Sequence, residues 1–177
     1  MTTKPNRDEA AEYYFTYIDQ VPDGDILATL ELQQDELLEL LSGISDEQSL
    51  HRYEPGKWTL RESIGHLNDT ERLFVFRAMW FARGFDTPLP SFDQHVGVTG
   101  ARSNDVHWSA HVDEFRAVRD ATLAFFKHLP EEAWTRRGIA SDNPFSVRAL
   151  AYMTAGHAIH HAKIIRTRYL AAPEARA

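Results

Sequence analysis

The segment that decides the fold is TLRESIGHLNDTERLFVFRAMWFAR, residues 59–83. Thr59 and Glu62 have the spacing of a capping box, in which each side chain satisfies a backbone N–H group at the start of a helix. Apolar residues then recur at helical spacing as far as Gly84, a residue type that commonly ends a helix. This segment therefore predicts one long helix from Thr59 to about Arg83.

Four further helices are predicted from apolar periodicity and capping residues. They are a short amphipathic helix at 8–21 and three long ones, from Asp23 or Asp25 to about 42, from about 109 to 128, and from Ser146 to about 170. Pro173 would prevent the last helix from continuing. Residues 85–105 and 136–144 are expected to be loops, and no alternating run predicts a strand. The pattern indicates an all-α fold, a four-helix bundle with a short additional N-terminal helix.

Length and composition limit the function classes. A chain of 177 residues fits one domain, so we treat residues 1–177 as a single helical-bundle domain. The formal net charge of -7 disfavours nucleic acid as a partner, because phosphate binding needs a basic face. The absence of cysteine excludes disulfides, thiolate metal ligands and a cysteine nucleophile. No targeting or membrane-spanning segment is visible, so we expect a cytoplasmic protein with no membrane partner.

The last predicted helix carries GHAIHHA at residues 156–162. His157 and His161 are four residues apart, which stacks their imidazoles on one helix face at a spacing by which they can share a metal ion. On the helical wheel, His161 lies near the centre of the apolar arc, His157 lies at its margin and His160 lies outside it. The inward pair is therefore predicted to be His157 and His161. The alternative is that each is a core histidine satisfied by one hydrogen bond.

The 59–83 helix has a broad apolar face and two separate polar stripes, which amphipathicity alone does not explain. One stripe, expected to be an ordinary solvated face, comprises Arg61, Asn68 and Arg72. The other comprises Glu62, Ser63, His66, Asp69, Thr70 and Arg77. We expect this second stripe to face a polar cavity inside the bundle; the alternative is a second exposed face.

His66, His157 and His161 together supply three nitrogen ligands from two helices. Three protein ligands and a free coordination position are typical of a catalytic metal site, whereas a structural zinc site uses four. Imidazole suits zinc, nickel, iron or copper, and we expect one divalent metal ion, zinc or nickel. Glu62 and Asp69 lie one turn on either side of His66. They are the candidate catalytic carboxylates, which would orient an imidazole or act as a base.

Other histidines are weaker candidates. His107 and His111 share the four-residue spacing, but His107 is expected in the loop before a helix, whose positive end disfavours a cation. Asp93 and His95, in the expected 85–105 loop, could reach a cavity at the end of the bundle.

The remaining evidence is a set of ordered motifs: PGKWTLRE (55–62), GHL (65–67), DTER (69–72), PLPSFD (88–93), EFRAVR (114–119), VRAL (147–150), GH (156–157) and HH (160–161). From about Tyr17 onward the chain thereby resembles the DinB/YfiT-like superfamily of metal-binding four-helix bundles. In that family a histidine of the second bundle helix and a histidine pair of the last helix bind one divalent metal. The matching positions here are His66, His157 and His161. The resemblance also implies frequent homodimers and an unusual bundle connectivity.

The resemblance implies more than one activity, since some relatives are thiol-dependent transferases or isomerases and others are described as metal-dependent hydrolases. Our first hypothesis is that the metal deprotonates a low-molecular-weight thiol and holds the thiolate for attack on a small-molecule electrophile. The second is hydrolysis, in which the metal lowers the pKa of a bound water and Glu62 or Asp69 acts as the base. The third is a metal-binding module without catalysis.

Overall fold

The computed structural model describes residues 3–170. Its α-helices are α1 (Phe15–Ile18), α2 (Ile26–Ser42), α3 (Leu60–Ala82), α4 (Gln94–Ala101), α5 (Trp108–Lys127) and α6 (Val147–Ile164), the last continued by a π-helical turn at Ile165–Tyr169. Short 3-10 turns lie at Arg7–Glu9, Glu12–Tyr14, Gln48–Leu50, Ser103–Asp105 and Glu131–Thr135. Within the described residues, none of the helices is long and apolar enough to cross a lipid bilayer.

The four long helices α2, α3, α5 and α6 form the predicted bundle. α3 packs against α5 and α6, and α2 packs against the same two helices. Although α2 and α3 are consecutive in the sequence, they therefore lie diagonally across the bundle. α3 and α6 are antiparallel, because Ser63 near the start of α3 contacts His161, whereas Phe74 further along contacts His157. This pair of helices carries the predicted histidines.

Side-chain hydrogen bonds confirm the predicted starts of α2, α3 and α6. Thr59 Oγ1 accepts a hydrogen bond from the Glu62 backbone N–H (3.1 Å), and Glu62 Oε2 accepts one from the Thr59 N–H (2.7 Å). Gly84, after α3, has a φ of +83°, a left-handed conformation that favours glycine. Asp25 caps α2, and Ser146 caps α6. The predicted stop at Pro173 lies outside the described residues.

The predicted N-terminal helix at 8–21 is wrong in its extent. The structure has two 3-10 turns followed by the single-turn helix α1, which packs across α6. Tertiary packing overrides the amphipathic pattern here. The Tyr17 carbonyl oxygen lies so close to Gly156 that a Cβ atom at residue 156 would be 2.2 Å from it. This approach bends the segment preceding α2 over α6 and brings its tyrosines to the histidines.

The expected loop at 136–144 contains most of a β-hairpin instead. β1 (Arg137–Ala140) pairs antiparallel with β2 (Asn143–Ser146), so that Ala140 lies opposite Asn143 at the turn. Ser141 and Asp142 connect the strands with φ values of +50° and +59°, the two positive values that a type I′ turn requires. Neither turn residue is glycine and the strands are very short, which is why the sequence pattern does not predict them.

The expected loop at 85–105 contains the helix α4. Asp93 Oδ1 caps it by accepting hydrogen bonds from the N–H groups of His95 (2.8 Å) and Val96 (3.2 Å). Gly97 and Gly100 lower the helix propensity of this short segment and hide it from a periodicity argument. α4 packs against α3 and so positions Asp93, at its start, and His95 near the histidine cluster.

The solvated face expected on α3 is also wrong for two of its three residues, since Arg61 and Asn68 are buried and only Arg72 is exposed. Arg61 donates hydrogen bonds to the carbonyl oxygens of Asn104 (3.0 Å) and Val106 (2.7 Å). Its guanidinium group therefore ties the loop before α5 to the start of α3. Helical periodicity cannot distinguish a polar side chain that is buried by hydrogen bonds to loop carbonyl oxygens from one that is exposed to solvent.

A buried ion pair crosses the interior of the bundle. The Arg119 guanidinium on α5, fully buried, donates from Nε and Nη2 to the two carboxylate oxygens of Glu71 on α3, both at 2.8 Å. Arg119 Nη1 also donates to the Leu30 carbonyl oxygen on α2 (3.0 Å). Such a bidentate pair fixes the relative position of three helices, because a shifted partner would leave a charge buried and unpaired.

We predict that Gly156→Ala weakens the packing of α1 on α6. The added methyl group would meet backbone atoms of Tyr17, which cannot rotate away, so we expect a loss of about 1–3 kcal/mol in the free energy of unfolding. Urea denaturation measures this loss, and limited proteolysis of the N-terminal segment reports its detachment. Gly100→Ala on α4 is the matched control, because a methyl group at residue 100 would have no atom within 4 Å. A Gly156→Ala variant as stable as the wild type would contradict the close approach.

A second prediction concerns Glu9, whose side chain ties the N-terminal segment to α6. Burial by itself would raise the pKa of this carboxyl group, but hydrogen bonds from Arg148, Ser146 and the Asn6 backbone outweigh it and lower the pKa to about 2. The unfolded chain then binds the proton more readily. The stabilisation by Glu9 is therefore complete above its ordinary value of 4.5 and is lost as the pH falls from 4.5 to about 2.

Glu9→Gln should lower the free energy of unfolding at pH 7 by about 2 kcal/mol, the contribution of charged hydrogen bonds, and should remove this part of the pH dependence. Urea titrations between pH 7 and pH 3 provide the measurement. Glu12→Gln, which changes an exposed carboxylate of the same segment, should leave the curve nearly unchanged. Parallel wild-type and Glu9→Gln curves over this range would refute the prediction.

Candidate metal centre

Three imidazoles converge between α3 and α6. The ring centroids of His157 and His161 are 4.5 Å apart, and the ring of His66 lies 5.2 Å and 5.3 Å from them. One nitrogen from each ring can be chosen such that all three lie within 4.8 Å of one another. The structure thus brings together the three residues that the sequence singled out, with side chains that are buried but oriented toward one point.

These imidazoles are neutral at physiological pH. Burial, with a smaller contribution from His95, lowers the pKa of His66 to about 4, and burial with smaller contributions from His66 and His160 lowers that of His161 to about 3. Burial, followed by the neighbouring His161, His66 and His160, also holds the pKa of His157 well below its usual range. Neutral imidazole is the form that ligates metals, so the desolvation that disfavours protonation also prepares the rings for a cation.

Hydroxyl groups of α3 lie beside two of the rings. Ser63 Oγ is 3.2 Å from His161 Nδ1, and Thr70 Oγ1 is 3.3 Å from His66 Nδ1. The Nε2 atoms of His157 and His161 face each other at 3.1 Å. If Nδ1 of His161 donates to Ser63, its Nε2 carries a lone pair toward the centre of the cluster, which is the tautomer that a metal ligand needs.

A two-lobed cleft surrounds the cluster. Each lobe has a volume of about 340–350 Å³, and both lobes are lined by Tyr13, Tyr17, His66, Gln94 and His157. The first lobe, which we call the Arg77 lobe, extends along α3 to Arg77 and Ser141. The second, which we call the Lys57 lobe, extends past Trp58 to Lys57 and Tyr169. A group held by the histidines would therefore be reached from two sides.

Neither predicted carboxylate contacts the cluster. Glu62 uses its oxygens for the α3 cap, for the Asn104 side-chain amide (2.9 Å) and for an ion pair with Arg52 (3.2 Å). Asp69 pairs with Arg72 (3.5 Å). Within residues 3–170, no carboxylate oxygen lies within ion-pair distance of the three histidines. Catalytic roles for Glu62 and Asp69 stay predictions. Each role would require a water or substrate molecule to bridge the carboxylate and the histidine cluster.

The other histidines separate as the sequence suggests. His160 is half-buried outside the cluster, with its ring against Tyr17 (5.5 Å between centroids). His107 is exposed, and His111 is buried with its Nε2 2.9 Å from the Ser103 carbonyl oxygen. The pair His107 and His111 therefore does not form a site. His95 does reach the cleft, as expected, and lies beside Trp58 (5.9 Å between ring centroids).

Sequence reasoning missed several cleft residues. The Tyr17 ring packs edge-on against His157 (5.4 Å), and the Trp58 ring lies 4.9 Å from His66. Burial raises the pKa of Tyr17, which keeps its hydroxyl protonated at neutral pH. Trp58 stands directly before the α3 cap, so the capping box could have indicated its position. No local signal indicates Tyr17, because its place depends on the close approach to Gly156.

The donor set suits a single divalent ion. Three neutral imidazoles, arranged around one point and open to a cleft, match a site with three protein ligands and a free coordination position. An alternative explanation is that the rings satisfy one another in an apolar core. In that arrangement one of the facing Nε2 atoms of His157 and His161 would donate its proton to the other at 3.1 Å, whereas a bound metal ion would take the place of that proton.

Fold and cluster together define a class: a four-helix bundle that buries three histidines beside an open cleft. The DinB superfamily model matches residues 29–165, and the chain belongs to the DinB superfamily. No curated protein matches the chain.

Solved structures agree with the fold. YfiT from Bacillus subtilis, described as a probable metal-dependent hydrolase with an unusual four-helix bundle topology, has a TM-score of 0.66 and 17% identity over 92% of this chain and 91% of that chain. The mycothiol-dependent maleylpyruvate isomerase has a TM-score of 0.67 and 15% identity over 82% of this chain. A variant of that isomerase gives the same values. This chain spans only 61% of the isomerase's length, and identities this low show the fold alone.

We predict that His66→Ala, His157→Ala and His161→Ala each weaken the binding of a divalent metal by more than about a hundredfold, since each removes a ligand. Metal analysis after dialysis, followed by competition with a chelator, measures the loss. His160→Ala is the matched control, because it removes a neighbouring imidazole outside the cluster and should keep about one metal ion per chain. Unchanged metal content in the three variants would exclude this site.

Proposed function

We propose that this protein is a metal-dependent enzyme that activates a low-molecular-weight thiol for S-transfer or isomerisation. In this proposal His66, His157 and His161 hold one divalent ion, zinc or nickel. The observation that carries the proposal is the two-lobed cleft, because two lobes meeting at one cluster can receive two small molecules. Each volume lies within the range of small-molecule pockets. A thiol and an electrophile are two such molecules, whereas hydrolysis requires one organic substrate and water.

Within residues 3–170 no carboxylate lies within ion-pair distance of the three histidines, which supports the same proposal. A divalent ion held there would supply Lewis acidity and would lower the pKa of a thiol bound at the free coordination position. The three neutral imidazoles leave its charge uncompensated, which favours an anionic sulfur ligand. No protein carboxylate is needed as a base in this scheme, in agreement with the engagement of Glu62 and Asp69 elsewhere.

The residues of the chain would provide binding, orientation and exclusion of water. Ser63 would hold the ring of His161 in the ligating tautomer, whereas Thr70, whose Oγ1 lies 3.3 Å and 3.5 Å from the two ring nitrogens of His66, would contact that ring without selecting a tautomer. The ring of Tyr17, on α1, packs against His157, and the ring of Trp58, just before α3, packs against His66. Both rings would help to exclude water from the bound thiol. Lys57 lines the Lys57 lobe and could bind an anionic part of the thiol compound.

The similar structures support both an S-transfer and a hydrolytic hypothesis. One is a mycothiol-dependent isomerase and the other is described as a probable metal-dependent hydrolase. Hydrolysis by this chain would make Glu62 or Asp69 the base that activates water. Burial raises the pKa of Asp69, which would make its carboxylate a stronger base than an ordinary aspartate. A homodimer and a cytoplasmic location also belong to the proposal.

The experiment measures the reaction rate of the metal-loaded protein with a chromogenic electrophile and each of a panel of small thiols. We expect a thiol-dependent rate at least about tenfold above that of His157→Ala, whereas His107→Ala, which removes an exposed histidine outside both lobes, should retain the wild-type rate. A thiol-independent rate on an activated ester that falls in Glu62→Gln or Asp69→Asn would support hydrolysis instead. Absence of any rate above His157→Ala, in protein that binds metal, would leave the non-catalytic module and overturn the proposal.

A further inference from the structure

Arg77 differs from the other buried arginines of the described residues. Arg119 is paired with Glu71, and Arg61 forms an ion pair with Asp46 (2.6 Å). Arg77 is only 2% exposed, yet within residues 3–170 no carboxylate lies within ion-pair distance of its guanidinium group. A buried charge without an opposite charge is costly, so an unpaired one lining a cleft calls for an explanation.

The hydrogen bonds of Arg77 leave most of its guanidinium group free. Nη2 donates to the Pro90 carbonyl oxygen (3.0 Å) and to Ser141 Oγ (2.8 Å), which are both neutral acceptors. Nε is buried without any partner, and Nη1 makes no hydrogen bond to a residue in the described part of the chain. Asp93 lines the same lobe, but its carboxylate accepts hydrogen bonds from the backbone N–H groups of His95 and Val96 at the start of α4. Anchoring a loop would therefore require only one nitrogen of this side chain.

The position of Arg77 relates it to the histidines. It lies three helical turns after His66 on α3, which places both on the same face, with Cα atoms about 16 Å apart along the axis. Side chains of a helix lean toward its N-terminus, so the long side chain of Arg77 extends toward His66 and shortens the distance between the guanidinium group and the imidazole. Tyr14, Phe74 and Phe92 line the lobe between them. The lobe thus has the Arg77 guanidinium at one end and the histidine cluster at the other, and its walls combine these aromatic rings with polar side chains such as Thr70 and Gln94.

We infer that the Arg77 lobe binds a carboxylic acid of small-molecule size, with its carboxylate on Arg77, its apolar body against the aromatic walls and its reactive group toward the histidines. This inference rests on the proposed function, because it assigns the second substrate of the same centre. The guanidinium fork matches the two oxygens of a carboxylate and would form a bidentate pair with them. Arg77 is then the residue that determines specificity for acids.

The test measures the binding of 3-phenylpropionate and of its neutral amide to the full chain by calorimetry, with and without metal. We expect the acid to bind at least about tenfold more tightly than the amide in both forms, since a charge-assisted pair replaces a neutral contact. Arg77→Met keeps the apolar stem and should abolish this preference. Arg72→Met, an exposed arginine on the same helix, should retain it.

A purely structural Arg77 would affect both ligands equally, so the ratio of the two affinities distinguishes recognition from anchoring. If Arg77→Met does not fold, the ¹⁵N–¹H resonance of Arg77 Nε in the wild-type protein gives the answer: it should shift with the acid and not with the amide. Equal affinities for acid and amide in the wild type, a preference that persists in Arg77→Met, or a preference that requires bound metal would each overturn the inference. Failure of the thiol assay with the acid preference intact would instead refute only the proposed function.

Discussion

The antiparallel contact of α3 with α6 is the constraint on which the rest of the site depends. It removes three imidazoles from water, and this desolvation keeps them neutral, as the lowered pKa values of His66 and His161 show. Neutral rings can be buried only where their nitrogens find partners. Ser63 and Thr70 provide such partners from α3 itself, whereas the facing nitrogens of His157 and His161 have only each other. The helix contact thus creates a position that a cation can fill.

The remaining polar groups of the interior show how a bundle can accommodate such a site. Arg119 and Glu71 satisfy each other in two hydrogen bonds, and Arg61 is saturated by loop carbonyls and a carboxylate. These groups fix helix positions and offer nothing to a ligand. The Arg77 guanidinium differs, because its Nε has no partner and the side chain lines the cleft. The imidazole cluster differs because its ring nitrogens line the same cleft, where a ligand can reach them.

Much of the fold was predictable, because the capping box of Thr59 and Glu62 and the periodicity of four segments are local signals. The helix faces predicted inward positions for His66, His157 and His161 with alternatives left open, the family resemblance implied the same three, and the cluster has these members. The hairpin and α4 were not predictable, since a type I′ turn without glycine and a short helix with two glycines carry weak local signals. The path of the N-terminal segment depends on a contact between distant residues, which no local pattern contains.

The cleft is lined by two groups of residues, one on the packed helices and one on turns and the N-terminal segment. The cluster belongs to α3 and α6, inside the region that the DinB superfamily model matches. Tyr13, Tyr14 and Tyr17 come from the segment before that region, and Ser141 comes from the hairpin turn. Because helix packing fixes the cluster while turns and terminal segments tolerate change, the same centre can serve different substrates in proteins of one fold. The added walls are therefore the first place to look for what distinguishes the specificity of this chain, whereas Arg77 lies on α3 with the fixed part of the cleft.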